Sequence, residues 1–403
     1  KSKSPLLLGI GADFNVIASD AKAMIDYTNQ FIEIHDGEVG ILTKDAYYLE
    51  KDGQQIKRET YEVEADKEQV TKAGYEHFML KEINDQPQVL KNIIAEYFTD
   101  DHQIKIDEKL LNDLKDADRI YILAAGTSYH AGLVGKELFE KLANIPTEVD
   151  IASEFGHHFP ILSKKPFFIF LSQSGETADS RQVLVEINKM GLPSLTITNS
   201  EKSTLAREAS HYLNIYAGPE IAVASTKAYT SQIAVEAILA KAVGEVNDVQ
   251  YAKDFDLQEE LEVVAGKIYQ VLGDEEVFDQ MTKDYLKDTR NAFYIGRGLD
   301  YDVALEAALK LKEVSYIQTE GFAAAELKHG TIALIEEGTP VMALINDPVT
   351  DTLTRGNIEE VKTRGAHTYV IATADVAKPG DDYILPEVNY LLSPMLTVIP
   401  TQL

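Results

Sequence analysis

The rhythm of hydrophobic and polar positions changes along the chain. The first sixty residues carry short apolar runs, Leu6–Ile10, Phe31–Ile34 and Val39–Leu42, punctuated by Asp36-Gly37 and Asp52-Gly53. Short runs between Gly-containing turns predict part of an antiparallel sheet. Residues 66–98 become charged and helical, through Tyr75–Leu80 and Val89–Ile94, and Pro87 is expected to break the pattern. From about residue 105 continuous apolar runs alternate with helical stretches. The runs predict strands at Arg119–Ala124, Phe167–Leu171, Ser194–Thr198 and Tyr212–Ile215. A second series follows at Ala292–Ile295, Pro340–Ile345 and Thr368–Ile371. This alternation implies α/β architecture, with parallel sheets covered by helices on both faces. An acidic helical stretch, 246–288, joins the two series. They read as diverged copies: Ala124–Ser128 parallels Ile295–Gly298, and Ala222–Lys227 and Ala323–His329 occupy similar late positions.

Composition narrows the function. At 403 residues, two or three domains are expected, and a hydrophobic content of 45% supplies their cores. Lys+Arg of 38 against Asp+Glu of 66 gives −28, which argues against nucleic acid and anionic membrane surfaces as partners. A phosphate ligand must then be held by local hydroxyls and N–H groups. Cysteine is absent, which excludes disulfides and thiolate zinc sites. No apolar run is long enough to span a bilayer. Lys1–Pro5 leads into only a short apolar stretch, so no signal peptide is expected and a cytoplasmic location is the default. The first residue is Lys, not Met, and the chain reads as a fragment or a processed form.

Candidate chemistry centres on Ser172-Gln173-Ser174-Gly175-Glu176-Thr177, directly after the apolar run 167–171 and before a helical stretch from Asp179 to Lys189. A strand-to-helix loop at the carboxyl end of a parallel sheet is where open α/β folds bind ligands. Its hydroxyls and the N–H groups opening the helix can surround a phosphate without a metal. An ordinary helix cap would need only one hydroxyl. Gly126-Thr127-Ser128 follows a strand and precedes a helix expected near His130; it either completes the phosphate shell or is a turn with a cap. Val223–Lys227 either lines a sugar pocket or is a helix start capped by Ser225.

The stretch Tyr301–Ile317 predicts a helix whose buried face is Ala304, Ala307, Leu311 and Val314. Glu306, Lys310 and Glu313 form a polar stripe at the same spacing. Spacing alone favours a solvated stripe with an i,i+4 pair. The functional alternative makes Glu313 a general base beside Lys310. His329, next to Gly330, is a candidate proton carrier or a plain surface histidine. His157-His158 lacks the spacing of a metal site.

Leu171–Thr177 (LSQSGET), Gly126–Tyr129, Val223–Lys227 (VASTK), Leu311-Lys312-Glu313 and Glu326–Gly330 (ELKHG) together resemble the bacterial glucosamine-6-phosphate synthases, the isomerizing glutamine–fructose-6-phosphate aminotransferases of hexosamine and UDP-GlcNAc biosynthesis. LSQSGET alone would indicate only a sugar isomerase (SIS) domain. The resemblance covers nearly the whole chain. It implies two tandem doubly wound, flavodoxin-like SIS domains at 105–250 and 251–403. Before them would lie a helical linker at 66–104 and the back part of an antiparallel α+β glutaminase domain at 1–65. It implies that Thr127, Ser128, Ser172, Gln173, Ser174 and Thr177 hold the sugar phosphate, and that Val223 and Ser225 contact the sugar. Glu313 would move a proton between C1 and C2 with Lys310 close by, and His329 of a neighbouring subunit would assist ring opening, so a homodimer is implied. No cofactor and no metal are expected.

This sequence departs from the family pattern in three places. The glutaminase nucleophile is a cysteine, absent here, so glutamine hydrolysis by this chain is not expected. The family continues past Leu403 with a tail whose lysine forms a Schiff base with the sugar, so the chain is expected to be catalytically impaired. Ala125 stands where the family often has Cys, a tolerated change. The rival expectations are a plain ketose–aldose phosphosugar isomerase and a non-catalytic regulatory phosphosugar-binding protein.

Overall fold

The computed structural model describes residues 6–19, 24, 27–62 and 72–403. The opening stretch Lys1–Pro5 and the start of the expected linker, 66–71, lie outside these residues. The N-terminal region is antiparallel, as its short runs predict. Leu7–Ile10 pairs with Asn15–Ala18 on one side and Gln30–Glu33 on the other, and Val39–Leu42, Tyr47–Lys51 and Gln54–Ile56 form a second small sheet.

Two five-stranded parallel sheets follow. The first contains β1 (Arg119–Ala124), β2 (Thr147–Ile151), β3 (Pro166–Leu171), β4 (Ser194–Thr198) and β5 (His211–Asn214), in the order β5-β4-β3-β1-β2. The second contains β6 (Asn291–Gly296), β7 (Gln318–Ala323), β8 (Pro340–Ile345), β9 (His367–Thr373) and β10 (Tyr383–Leu385), in the order β7-β6-β8-β9-β10. In each, the chain reverses its direction of travel across the sheet beside the first strand, which opens a crevice at the strands' carboxyl ends.

The central strands read as continuous apolar runs because both of their faces are buried. In β3, Phe167, Ile169 and Leu171 face one core, whereas Phe168 and Phe170 face another. The first core is shared, since Ala292, Tyr294, Met342 and Leu344 of the second sheet join it. The principal helices of the two units are α1 (Phe78–Tyr97), α2 (Thr127–Leu138), α3 (Ala178–Lys189), α4 (Lys227–Val246), α5 (Leu257–Leu272), α6 (Leu299–Ser315), α7 (Asp351–Lys362) and α8 (Ser393–Gln402). Helix α6 of the second unit packs on α2 of the first, and this contact brings together the two units' chemistry-bearing residues.

Three strands of the parallel sheets escape the sequence pattern: β2, β7 and β10. All are edge strands: half-exposed Glu148 and Asp150 in β2 and exposed Glu320 in β7 dilute the apolar signal, whereas β10 is only the three residues Tyr383–Leu385. Pro87 does not break the helix as expected; it lies inside α1. Proline has no N–H to donate, and the side-chain amide of Gln86 bonds the Ile83 carbonyl instead, at 3.1 Å. The copies correspond well at their first turns. Gly126 (φ 57°, ψ −133°) and Gly298 (φ 55°, ψ −129°) cap α2 and α6 in the same left-handed conformation, which favours glycine. The late pairing does not hold: Ala222–Lys227 lies beyond the fifth strand of its sheet, whereas Ala323–His329 follows the second strand of the other.

Candidate active site

The crevice between β1 and β3 holds a cavity of ≈ 250 Å³. It is lined by Ala125, Thr127, Ser128, Leu171, Ser172, Gln173, Ser174, Thr177, Val223, Ser225, Lys310 and Glu313. The sequence-predicted residues therefore converge from three loops and one helix, apart from His329. His329 is exposed after the short helical turn Glu326–Lys328 and does not line this cavity.

The loop after β3 is bound into a tight cradle. Ser172 Oγ accepts from Gly175 N at 3.0 Å and lies 2.9 Å from Thr177 Oγ1, and Ser174 Oγ accepts from Glu176 N at 3.2 Å. Gly175 has φ 68°, and a Cβ there would stand 2.0 Å from Ser203 Oγ, so the turn needs glycine. Thr177 occupies the N-cap position of α3, but its hydroxyl does not cap the helix. Gly126, at the start of α2, has no side chain to cap with. Two helix N-termini thus face one crevice without internal side-chain caps, an arrangement suited to an anion. Gln173 Nε2 is buried without a partner. A buried donor left unsatisfied is costly unless a ligand or water completes it.

Behind the cradle lies a polar network. The Glu306, Lys310, Glu313 stripe is not solvated along its length as spacing alone suggested: Glu306 is 0% and Lys310 1% exposed. Lys310 Nζ donates to Thr127 Oγ1 at 2.9 Å and to Glu313 Oε2 at 2.6 Å, and lies 3.6 Å from Glu306 Oε1. Thr127 in turn donates to Glu306 Oε1 at 3.0 Å, and His130 Nδ1 lies 2.7 Å from Glu306 Oε2. Sequence reasoning missed Glu306 and His130 as site-supporting groups, because spacing cannot show that α2 covers this face of α6. Val314, assigned to the buried face, is instead exposed. Glu313 keeps one edge toward the cavity, with its side chain 35% exposed.

The second crevice is different. Asp300, near the start of α6, is buried and accepts from Asn346 N at 2.8 Å and from the Asn346 side-chain amide. A carboxylate therefore occupies N–H groups at the strand end where the first copy presents hydroxyls. Burial pushes the Asp300 pKa up to about 7 despite these bonds. Asp302 is raised to about 7 by burial, then by Glu137 and Asp300. A carboxyl whose folded pKa lies above its unfolded value holds more protons folded than unfolded, so stability falls as pH rises between the two. The melting temperature is expected to fall as pH rises from the ordinary 3.8 through about 7. Thermal melts of Asp302→Asn should show a shallower decline; an unchanged slope would remove Asp302 from the account.

A cavity of ≈ 280 Å³ in the N-terminal region, lined by Ile10, Gly11, Ala12, Asn15, Lys44, Asp45, Ala46 and Tyr47, has no comparable hydroxyl cradle.

Comparison with known proteins fits this geometry. The SIS domain family matches residues 113–242 and 285–384. The glutamine–fructose-6-phosphate aminotransferase [isomerizing] of Streptococcus pneumoniae strain R6 is 56% identical over 404 residues, covering 100% of this chain and 67% of that protein. Its Staphylococcus aureus Mu50 counterpart is 54% identical with the same coverage. The solved C-terminal domain of glucosamine-fructose-6-phosphate aminotransferase from Francisella tularensis aligns with TM-score 0.79 and 34% identity, over 82% of this chain and 95% of that one. By its matched SIS segments, its two parallel sheets and its identity with these relatives across its whole length, the chain belongs to the isomerizing glutamine–fructose-6-phosphate aminotransferase family.

Proposed function

We propose that this chain carries the isomerase part of the aminotransferase, the part that converts fructose 6-phosphate plus ammonia to glucosamine 6-phosphate and water. The observation that carries this reading is the meeting of a hydroxyl cradle and a Lys310–Glu313 pair in one cavity. The cradle takes the phosphate: Ser128, Ser172, Ser174 and Thr177 supply hydroxyls, Thr127 and Ala178 open the two helices, and Gln173 Nε2 supplies a free donor. Fixing the phosphate at one end positions the reacting carbons at the other.

Ammonia adds to the C2 carbonyl of the open-chain ketose and water leaves, giving an imine. Glu313 takes a proton from C1 and returns it to C2, while the C1 hydroxyl proton passes to the imine nitrogen, so that C1 becomes the aldehyde and the imine becomes the amine. Lys310 donates to Glu313 at 2.6 Å and holds its carboxylate in place at the cavity. His329 is assigned to ring opening across a homodimer, its exposure leaving it accessible to a second copy. The organisation that goes with this reading is a glutaminase-derived region at 1–65, a linker at 66–104 and SIS domains at 105–250 and 251–403. Among the described residues no helix is long and apolar enough to cross a membrane; a phosphorylated sugar substrate agrees with a cytoplasmic setting.

The test is glucosamine 6-phosphate formation from fructose 6-phosphate and ammonium. Product supports the reading. Conversion of fructose 6-phosphate to glucose 6-phosphate without nitrogen incorporation would favour a plain isomerase, and binding without turnover a regulatory module. Ser172→Ala is expected to weaken fructose 6-phosphate binding about fivefold, from the loss of one hydroxyl contact and of the Gly175 N–H acceptor; calorimetry showing unchanged affinity would move the phosphate elsewhere.

A further inference from the structure

The wall opposite the phosphate cradle is a loop without regular secondary structure, running from Ile215 to Thr226. It presents Val223 and Ser225 to the cavity. Val223 is 102% exposed, so packing of its own side chain does not hold the turn. Carboxylates do. Glu220, within the loop, accepts from Ser225 Oγ at 2.9 Å, Thr226 N at 2.8 Å and Ala228 N at 3.2 Å. The other carboxylate comes from far away in sequence. Glu82 on α1 accepts through Oε1 from Ile221 N at 2.5 Å and Ala222 N at 3.1 Å, the two residues just before Val223.

Glu82 is 1% exposed, and α1 is a fixed base for it. One face of α1, with Leu90, Ile93 and Ile94, is sunk in the shared core. Asp85 accepts from Lys227 Nζ at 3.1 Å, and Lys227, at the start of α4, is 3% exposed. Gln86 bonds Gln402 at 2.7 Å and Thr230 at 2.9 Å, which ties α1 to α8 and α4. The helix lies outside the matched SIS segments, and the motif reading assigned it no part in the site.

We infer that Glu82 is a positioning residue for the sugar end of the site. It touches no ligand. It fixes the Ile221–Ala222 backbone and thereby sets Val223 and Ser225 against the phosphate cradle. The inference rests on the reading of the cavity as a hexose 6-phosphate site. It predicts a split between ligands, because the cradle and the sugar wall are separately anchored. Loosening the wall should cost affinity for a phosphosugar and leave affinity for bare phosphate intact.

The experiment measures fructose 6-phosphate and inorganic phosphate binding by calorimetry for the wild type, Glu82→Ala, Glu82→Asp and Glu82→Gln. Alanine leaves two N–H groups unpaired. Aspartate keeps the charge but falls short of the loop. Glutamine keeps the accepting oxygen in place. Fructose 6-phosphate affinity is expected to fall about tenfold in Glu82→Ala, less in Glu82→Asp, and to stay within about twofold in Glu82→Gln, with inorganic phosphate unchanged throughout. Should the alanine variant fail to fold, the aspartate and glutamine variants make the same comparison. Wild-type fructose 6-phosphate affinity in the alanine or aspartate variant would overturn the inference. So would equal weakening of both ligands, which would mark a general loosening. A wild type that binds inorganic phosphate but not fructose 6-phosphate would instead overturn the substrate reading, and the inference with it.

Discussion

Glu313→Gln is expected to lower glucosamine 6-phosphate formation about 10³-fold while changing fructose 6-phosphate affinity by no more than about twofold. The amide fills the same volume and can still accept from Lys310, so the cavity keeps its shape. What it loses is the ability to take a proton from C1. General acid–base catalysis contributes about 10²–10⁴ in rate, and here one carboxylate serves both halves of the transfer, which places the loss in the upper part of that range. Glu313 is suited to the part because it is only half committed: Lys310 holds one oxygen at 2.6 Å, and the side chain stays 35% exposed toward the cavity. The decisive readout is exchange of the C1 hydrogen with deuterated solvent, which follows proton abstraction separately from nitrogen incorporation. Near-normal exchange in the variant would mean that another group is the base. Loss of binding together with turnover would mean that Glu313 holds the sugar and does not act on it.

The two anchors of this site were unequally legible in the sequence. The cradle could be read because its chemistry is local: β3 is buried on both faces, hence a continuous apolar run, and the hydroxyls follow at once in the loop. Val223 and Ser225 could be placed only through resemblance, because their position depends on a long irregular loop whose fixings are distant. Glu82 reaches that loop from 139 residues earlier, a contact no periodicity encodes. The stripe on α6 misled for a related reason. Polar residues at 3–4 spacing usually face water, and only the packing of α2 on α6 turns Glu306 and Lys310 inward. The edge strands β2 and β7 were lost because their one open side leaves the pattern mixed, and β10 because three residues are too short a run to read. What the sequence hides in this protein is chiefly contact between elements, and the active site is built at such a contact.

Glu306 gives the largest expected effect on stability. Its carboxylate has no exposure to water and three partners: Thr127 at 3.0 Å, His130 at 2.7 Å and Lys310 at 3.6 Å. Two of these belong to α2 of the first unit and one to its own helix in the second, so the group joins the units beneath the cavity. Removing one member of a buried charge network costs about 3–5 kcal/mol, mainly because the remaining members stay buried with fewer partners. For Glu306→Ala this corresponds to a melting temperature lower by about 10 °C. Lys310 would remain in place, held by Glu313 and Thr127, but with one of its two carboxylate neighbours gone. Glu306→Gln should lose less, because it still accepts from Thr127. Glu313→Ala, whose carboxylate is partly solvated, should lower the melt less than Glu306→Ala, since Lys310 keeps Glu306 and Thr127 as neighbours. Calorimetric melts of the three variants therefore separate the carboxylates: one carries structure, the other chemistry. A Glu306→Ala protein that melts with the wild type would show that the network carries no net stability and that the units are joined by apolar packing alone.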